Sequence, residues 1–393
     1  MKVLRFFSIV IFLTFISILL STCTMNVDAG KKEKEIMARY IEKLKTLKMS
    51  DEAMKGVPDY WRTGLDDIEE AVAGIRKGTV ERICWSAGER PVYRILYGTP
   101  NDMKRTANLS SAMGAGSVKY YADKTAPDYR PTVYLVGAVH GGEVEGTAAL
   151  MNIVAILETG KDLAGTEYPV ITASMEKMNF VIILCANPDG RARVPLPGMV
   201  GLDYETFRYW SQGTWKDGTL AGWPTCKSVH PILNAVAFLG AYYNDEGINM
   251  MHDFFFTNPA AETKALLQTA EIFTPDFTIL FHGGANSNPH ITNIGYLFQD
   301  TKEKIWAFRQ FINDQYKDVG FSLAGNGVSE TNDNSFNLNS AITHVCGEPS
   351  ITFESNQGLN YSGGQVKYTY DEIYRTHILT IEGLCKFILN NPN

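Results

Sequence analysis

Three residues of the sequence have the types and spacing of metal ligands. His140 and Glu143 are separated by two glycines directly before a predicted helix. This spacing lets an imidazole and a carboxylate converge on one ion, and the glycines let the backbone pass close to it. The pair alone is close to what chance supplies, but His282 offers a third ligand. Two imidazoles and one carboxylate with an open fourth position are typical of catalytic zinc, so we predict one zinc ion per chain.

A glutamate at the end of another apolar run is the candidate general base. In the predicted strand SITFE (350–354), Ile351 and Phe353 face the core, so Thr352 and Glu354 share the opposite face. A carboxylate at a cleft edge can take a proton from zinc-bound water, whose pKa falls to about 7. It can then pass that proton to a leaving amine. The alternative is a surface glutamate at a strand end.

These candidates share one structural position, the carboxyl end of a predicted strand. PTVYLVGAV (131–139) precedes His140, NFVIILCA (179–186) precedes Asn187-Pro188-Asp189-Gly190, DFTILF (276–281) precedes His282, and SITFE ends at Glu354. Helical patterns alternate with these runs, at about 145–157, 260–273, 306–316 and 370–389. Continuous apolar strands alternating with helices predict an α/β fold with helices on both faces of a sheet. In such sheets, ligands bind at the carboxyl ends of the strands.

The first residues have the pattern of an export signal. Lys2 and Arg5 precede an apolar run over 6–20, which is short for a membrane span of roughly 20 residues. Either Cys23 is lipidated, as in a bacterial lipoprotein, or the chain is cleaved after the small residues at 27–29. An uncleaved anchor is a third alternative. We expect an exported protein, secreted or lipid-anchored, with membrane attachment through the N-terminus only.

We predict three regions along the chain: a signal at 1–29, a helical leader at 30–78 and a catalytic domain at 79–390. Helical spacing of apolar residues at 31–48 and at 66–76 predicts a surface helix pair in the leader.

Composition limits the alternatives. The chain has 393 residues and a formal net charge of −7, with no basic run of the kind that binds nucleic acid. Five cysteines follow Cys23 without a close pair, so one disulfide is possible and a zinc site of thiolates is not supported.

Four short motifs together resemble those of the zinc carboxypeptidases (funnelins). They are HGGE at 140–143, NPDG at 187–190, FHGG around His282 and TFE ending at Glu354. Their order and spacing also fit this family, over roughly residues 80–390. The resemblance implies a mixed, mostly parallel sheet flanked by helices, and hydrolysis of a peptide or related amide by a zinc metallopeptidase. One zinc would be held by the three predicted ligands.

The resemblance also implies supporting residues. Glu354 would act as base and then acid, and Asp189 would orient a zinc-ligand histidine or cap the turn. An arginine after NPDG would stabilise the oxyanion, for which Arg191 and Arg193 are the nearest candidates and Arg208 another.

Two departures concern the substrate. Met251-His252 stands where the family has an Asn-Arg pair that clasps the substrate carboxylate, which Met–His cannot do. Within that stretch, Asn249 and His252 are candidate substrate-binding residues, although His252 could equally be structural. The family's substrate-side tyrosine is also missing from 332–339.

Three functions follow from these observations. The first is a metallopeptidase-type amide hydrolase. The second is a zinc deacylase or cell-wall peptide hydrolase that requires no free C-terminal carboxylate. The third is an exported binding protein on a catalytically decayed scaffold.

Overall fold

The computed structural model describes residues 56–285, 287–292, 295–324, 335–360 and 367–391. The predicted export signal, the helix at 31–48 and residues 332–334 lie outside these ranges and remain predictions.

The described residues build one large mixed sheet and a small two-stranded ribbon. The strands are β1 (Thr79–Trp85), β2 (Pro91–Tyr97), β3 (Thr132–Val136), β4 (Asn179–Ile183), β5 (Gly213–Trp215), β6 (Val236–Leu239), β7 (Phe277–Ala285), β8 (His290–Thr292) and β9 (Ser350–Asn356). The large sheet has the order β1-β2-β4-β3-β7-β9-β8. Its centre, β4-β3-β7-β9, is parallel, and the flanking pairs are antiparallel. The ribbon pairs β5 with β6.

Helices cover both faces of this sheet. They are α1 (Leu65–Gly74), α2 (Leu109–Gly114), α3 (Glu145–Thr159), α4 (Pro169–Ser174), α5 (Pro188–Ala192), α6 (Tyr204–Gln212), α7 (Ala261–Phe273), α8 (Gln299–Lys317), α9 (Leu338–Cys346) and α10 (Tyr370–Asn390). Val133 and Leu135 of β3 pack in the core formed with α3, α8 and α10, whereas Tyr134 and Val136 pack in the core with α7 and α9. The predicted α/β fold with a mixed, mostly parallel sheet is therefore confirmed.

The central strands form because their sequences are apolar at every position. All residues of β3 and β4 are buried, as expected for strands that are covered on both faces. The edge strand β1 was not predicted. Its burial is irregular and its sequence, TVERICW, mixes charged and apolar residues, so it lacks a continuous apolar run.

The segment before β1 packs onto the main domain. The Trp61 ring contacts the Tyr370 ring with centroids 4.8 Å apart, and the Tyr60 and Tyr374 rings are 4.9 Å apart. Trp61 also donates from Nε1 to the Pro197 carbonyl over 2.9 Å. The start of the described chain is thus attached to the last helix, α10.

Two expectations on composition can be compared with the structure. The cysteines at 84, 185, 226, 346 and 385 are all free thiols here. In the part of the chain that the structure describes, no helix is long and apolar enough to cross a membrane.

Candidate active site

The carboxyl ends of three neighbouring parallel strands bring the predicted ligands together. His140 and Glu143 lie on the turn between β3 and α3, and His282 lies on β7. On β9, Glu354 pairs in register with His282. Residues that are far apart in the sequence are therefore brought together, because the strands that carry them are neighbours in the sheet.

The two histidines face opposite oxygens of one carboxylate. Nδ1 of His140 lies 3.0 Å from Oε1 of Glu143, and Nδ1 of His282 lies 2.8 Å from Oε2. The possible ligand atoms of these three buried residues all lie within 4.8 Å of one another. Two nitrogens and a carboxylate gathered this closely fit the donor set of catalytic zinc.

The electrostatics of His140 and Glu143 favour the protonation states of metal ligands, whereas those of His282 favour its protonated form. Burial lowers the pKa of His140, despite the opposing charge of Glu143. Burial raises the pKa of Glu143, but the two histidines outweigh it and hold that pKa well below its usual range. Burial lowers the pKa of His282, but the hydrogen bond to Glu143 and its negative charge together raise that pKa by more, so the net pKa is raised.

Two glycines are required by close approaches at the site. A Cβ on Gly141 would lie 2.1 Å from the Arg191 backbone nitrogen, so the HGGE turn can pass the NPDG turn only without a side chain. A Cβ on Gly283 would lie 2.6 Å from Oε2 of Glu145 and 2.8 Å from Nε2 of Gln357. The glycines after the histidines therefore make room for neighbouring segments.

His140 is held on its other side by two residues. Its Nε2 lies 3.2 Å from Oδ1 of Asn249, which fits donation by Nε2–H and leaves Nδ1 free to accept or to bind a metal. The Tyr242 ring stacks on the imidazole with centroids 3.8 Å apart and planes at 7°. Asn249 had been predicted to bind substrate; the structure instead places it behind His140. Tyr242 was not predicted.

Glu354 lies beside this cluster and is half-buried. Burial raises the pKa of its carboxyl to about 7, an effect opposed by His282 and Lys227 and reinforced by Glu143. A second carboxyl, Glu145, was missed by the sequence analysis. It is buried at the start of α3 and accepts hydrogen bonds from Nε2 of Gln357 at 3.3 and 3.4 Å, and burial raises its pKa to about 8. Its position two residues after Glu143 was the available signal.

The predicted oxyanion arginines are engaged in the fold instead. Buried Arg191 donates to the carbonyls of Thr63, Val194 and Leu196 at 2.7–2.9 Å. Arg193 pairs with Asp245 and donates to the Tyr243 carbonyl. In the part of the chain that the structure describes, the Arg191 guanidinium is fully bonded to backbone carbonyls and Nε of Arg193 is buried without a hydrogen-bond partner; an oxyanion role for either arginine stays a prediction.

Among the described residues, Asp189 has no hydrogen bond to a ligand histidine and instead holds neighbouring turns. Its carboxylate accepts from Ser86 Oγ, the backbone N–H groups of Gly88 and Asp245, and Arg90 at 2.5–3.0 Å. It joins the β1–β2 turn to the segment leading to Asn249.

The side chains of Met251 and His252 lie in different surroundings. Met251 packs in the core with α7 and α9. His252 is half-buried, and burial lowers its pKa to about 3, with further lowering by Lys227, His140, His230 and His282. His252 is therefore neutral near pH 7, and its binding of an anion as a cation is not supported.

Comparison with known proteins agrees with this site. The sequence model of the zinc carboxypeptidase family matches residues 79–386. A metallo-carboxypeptidase from Burkholderia cenocepacia has a similar structure at 15% identity, with a TM-score of 0.52 over 82% of this chain and 67% of the other. A Pseudomonas aeruginosa metallo-carboxypeptidase, solved with (2-guanidinoethylmercapto)succinic acid, gives 12% identity and a TM-score of 0.51 over 83% and 68%. No curated protein matches the chain.

The family match covers most of the chain. The protein therefore belongs to the zinc carboxypeptidase family and is a zinc metallopeptidase by class. The resemblance expected from the four short motifs is confirmed.

Proposed function

We propose that this protein hydrolyses a peptide or related amide bond, with one zinc ion held by His140, Glu143 and His282. The observation that carries this proposal is the convergence of two imidazole nitrogens on the two oxygens of the buried Glu143 carboxylate. Such a site holds its donor atoms ready for an ion, and its N, N, O set suits zinc.

Zinc bound there would supply Lewis-acid chemistry, polarising the scissile carbonyl and making water more acidic. The proton transfers are carried out by a side chain of the protein. Glu354 takes a proton from the attacking water and delivers it to the leaving amine. A pKa of about 7 suits both steps near neutral pH, because the group can accept and then release a proton.

The test combines metal content with turnover. The purified protein, supplied with zinc, is assayed by elemental analysis and with free C-terminal peptides, N-acyl amino acids and peptidoglycan stem peptides. We expect about one zinc per chain, hydrolysis of at least one substrate class and loss of activity with a chelator. Failure to bind zinc would overturn the proposal.

A zinc deacylase or cell-wall peptide hydrolase without need of a free carboxylate is a second candidate. It is favoured by the engagement of Arg191 and Arg193 in the fold and by the burial of Met251 in the core. Efficient trimming of ordinary C-terminal residues would exclude it. Zinc binding without any hydrolysis would instead favour a binding protein.

A further inference from the structure

Lys227, which lies in none of the four motifs, is close enough to Glu354 and Glu143 for their charges to act on it. Surrounding atoms partly desolvate the Lys227 ammonium group, which lowers its pKa against the charges of Cys226, Glu354 and Glu143. In return, Lys227 lowers the pKa of Glu354 and of His282.

The backbone that carries Lys227 is attached close to His140. Lys227 ends a short 3₁₀ turn, Thr225–Lys227, whose Cys226 carbonyl accepts a hydrogen bond from the Tyr243 hydroxyl at 3.2 Å. Tyr242, which directly precedes Tyr243 in the chain, stacks on the His140 ring. One dipeptide, Tyr242-Tyr243, therefore joins the turn of Lys227 to the metal-ligand cluster.

Lys227 is also accessible to a ligand. The residue is exposed, and in the part of the chain that the structure describes its ammonium group makes no ion pair. Its Nζ lies 5.4 Å from the centre of the Trp223 ring, which is itself 58% exposed. A cation beside two acidic residues but not paired with either can receive an anion from solution.

Other cationic candidates for this role are bonded to the fold, packed against a neighbouring turn, or neutral. Arg191 and Arg193 bind backbone carbonyls and Asp245. The guanidinium of Arg208 packs against Gly222, where an added Cβ would lie 1.7 Å from Nη2. His252 is uncharged near neutral pH.

We propose that Lys227 is the specificity-determining cation of this site and binds a carboxylate of the substrate. That carboxylate is either the C-terminus or an acidic side chain. The inference rests on the proposed hydrolytic function. An ammonium group is a compact point charge, so it tolerates carboxylates in more orientations than the fork of an arginine does.

The experiment measures binding rather than turnover, so that it stands apart from the test of hydrolysis. Glu354→Gln protein, supplied with zinc, is titrated with three short peptides. The first ends in phenylalanine with a free carboxylate, the second is its C-terminal amide, and the third is an amide ending in glutamate. Lys227→Met and Lys227→Arg are added to this background. Lys216→Met, which changes an exposed lysine directly after β5, is the control.

We expect Lys227→Met to weaken binding of a carboxylate peptide by about 10- to 100-fold while binding of the neutral amide stays unchanged. Lys227→Arg should retain most of the affinity, and Lys216→Met all of it. Loss confined to the first or to the third peptide identifies the source of the carboxylate. The inference would be overturned if the Glu354→Gln protein bound the carboxylate peptides and the neutral amide equally well. It would also be overturned if Lys227→Met left the affinity for both carboxylate peptides unchanged. Neither result would affect the proposed hydrolysis.

Discussion

The rings of Tyr242 and His140 lie face to face, with centroids 3.8 Å apart and planes at 7°. The stack fixes the orientation of an imidazole whose Nδ1 points at Glu143. It is the closest ring contact of the site and involves a residue outside the family motifs.

Replacing Tyr242 should therefore weaken zinc binding. Aromatic stacks contribute about 0.5–1.5 kcal/mol, so Tyr242→Leu should lower zinc affinity by up to about tenfold. Tyr242→Phe keeps the stack and serves as the matched control. Competition with a chromophoric chelator measures both affinities. Equal affinities for the leucine and phenylalanine variants would contradict the prediction.

Substitutions of Asn249 should either weaken or strengthen zinc binding, depending on the new side chain. Its Oδ1 accepts from Nε2–H of His140, and partners of this kind typically affect metal affinity by about 10- to 100-fold. Asn249→Leu should weaken zinc binding within that range. Asn249→Asp should strengthen it, because a carboxylate makes the imidazole a more basic ligand. If both variants bind zinc as the parent does, this hydrogen bond does not support the metal.

Glu354 should be needed for turnover but not for metal binding. Glu354→Gln is expected to lower kcat by about 10²- to 10⁴-fold while zinc content stays at the parent level. His344→Gln, which changes an exposed histidine, should leave both quantities unaltered. A Glu354→Gln protein that retains full activity would exclude Glu354 as the general base.

A buried ion cluster far from the active site should control stability. Nζ of Lys124 lies 3.0 Å from Asp276 and 2.9 Å from Glu348, and its side chain is 9% exposed. Because Lys124→Met removes the buried cation between Asp276 and Glu348, of which Glu348 also pairs with Lys304 at 3.1 Å, it should cost about 3–5 kcal/mol of unfolding free energy.

Urea unfolding measures this cost, and kcat of the folded fraction should not change. Lys119→Met removes a surface ion pair of 3.8 Å with Asp123 and should cost much less, because solvent-exposed ion pairs contribute little. Similar losses in the two variants would refute the special role of the buried cluster.

His377 should make stability depend on pH. It is buried between the rings of Phe281 and Phe353, and burial lowers its pKa from 6.5 to about 4. As the pH falls below 6.5, the unfolded chain takes up a proton that the folded chain refuses, so stability falls. This linkage contributes a loss of about 2 kcal/mol between pH 8 and pH 5.

The variant His377→Gln removes this contribution. The unfolding free energy of the variant, subtracted from that of the parent, should therefore change by about that amount over the same interval. A difference that is constant with pH would show that His377 does not titrate on unfolding.

The metal cluster could be predicted because its residues follow long apolar strands, whose carboxyl ends must meet in a parallel sheet. Tyr242 and Lys227 could not. Their positions depend on contacts between irregular segments, such as the bond from Tyr243 to Cys226, that no local pattern encodes. The surroundings of Arg191 could not be predicted for the same reason, since its partner Thr63 lies 128 residues away.

The attachment of Trp61 and Tyr60 to α10 has a consequence for how the chain folds. These residues precede β1, whereas their partners Tyr370 and Tyr374 belong to the last described helix. Contacts of such sequence separation form late, because a long loop must close before they contribute. The early segment is therefore expected to stay open to proteases until α10 docks, and its protection would report completion of folding.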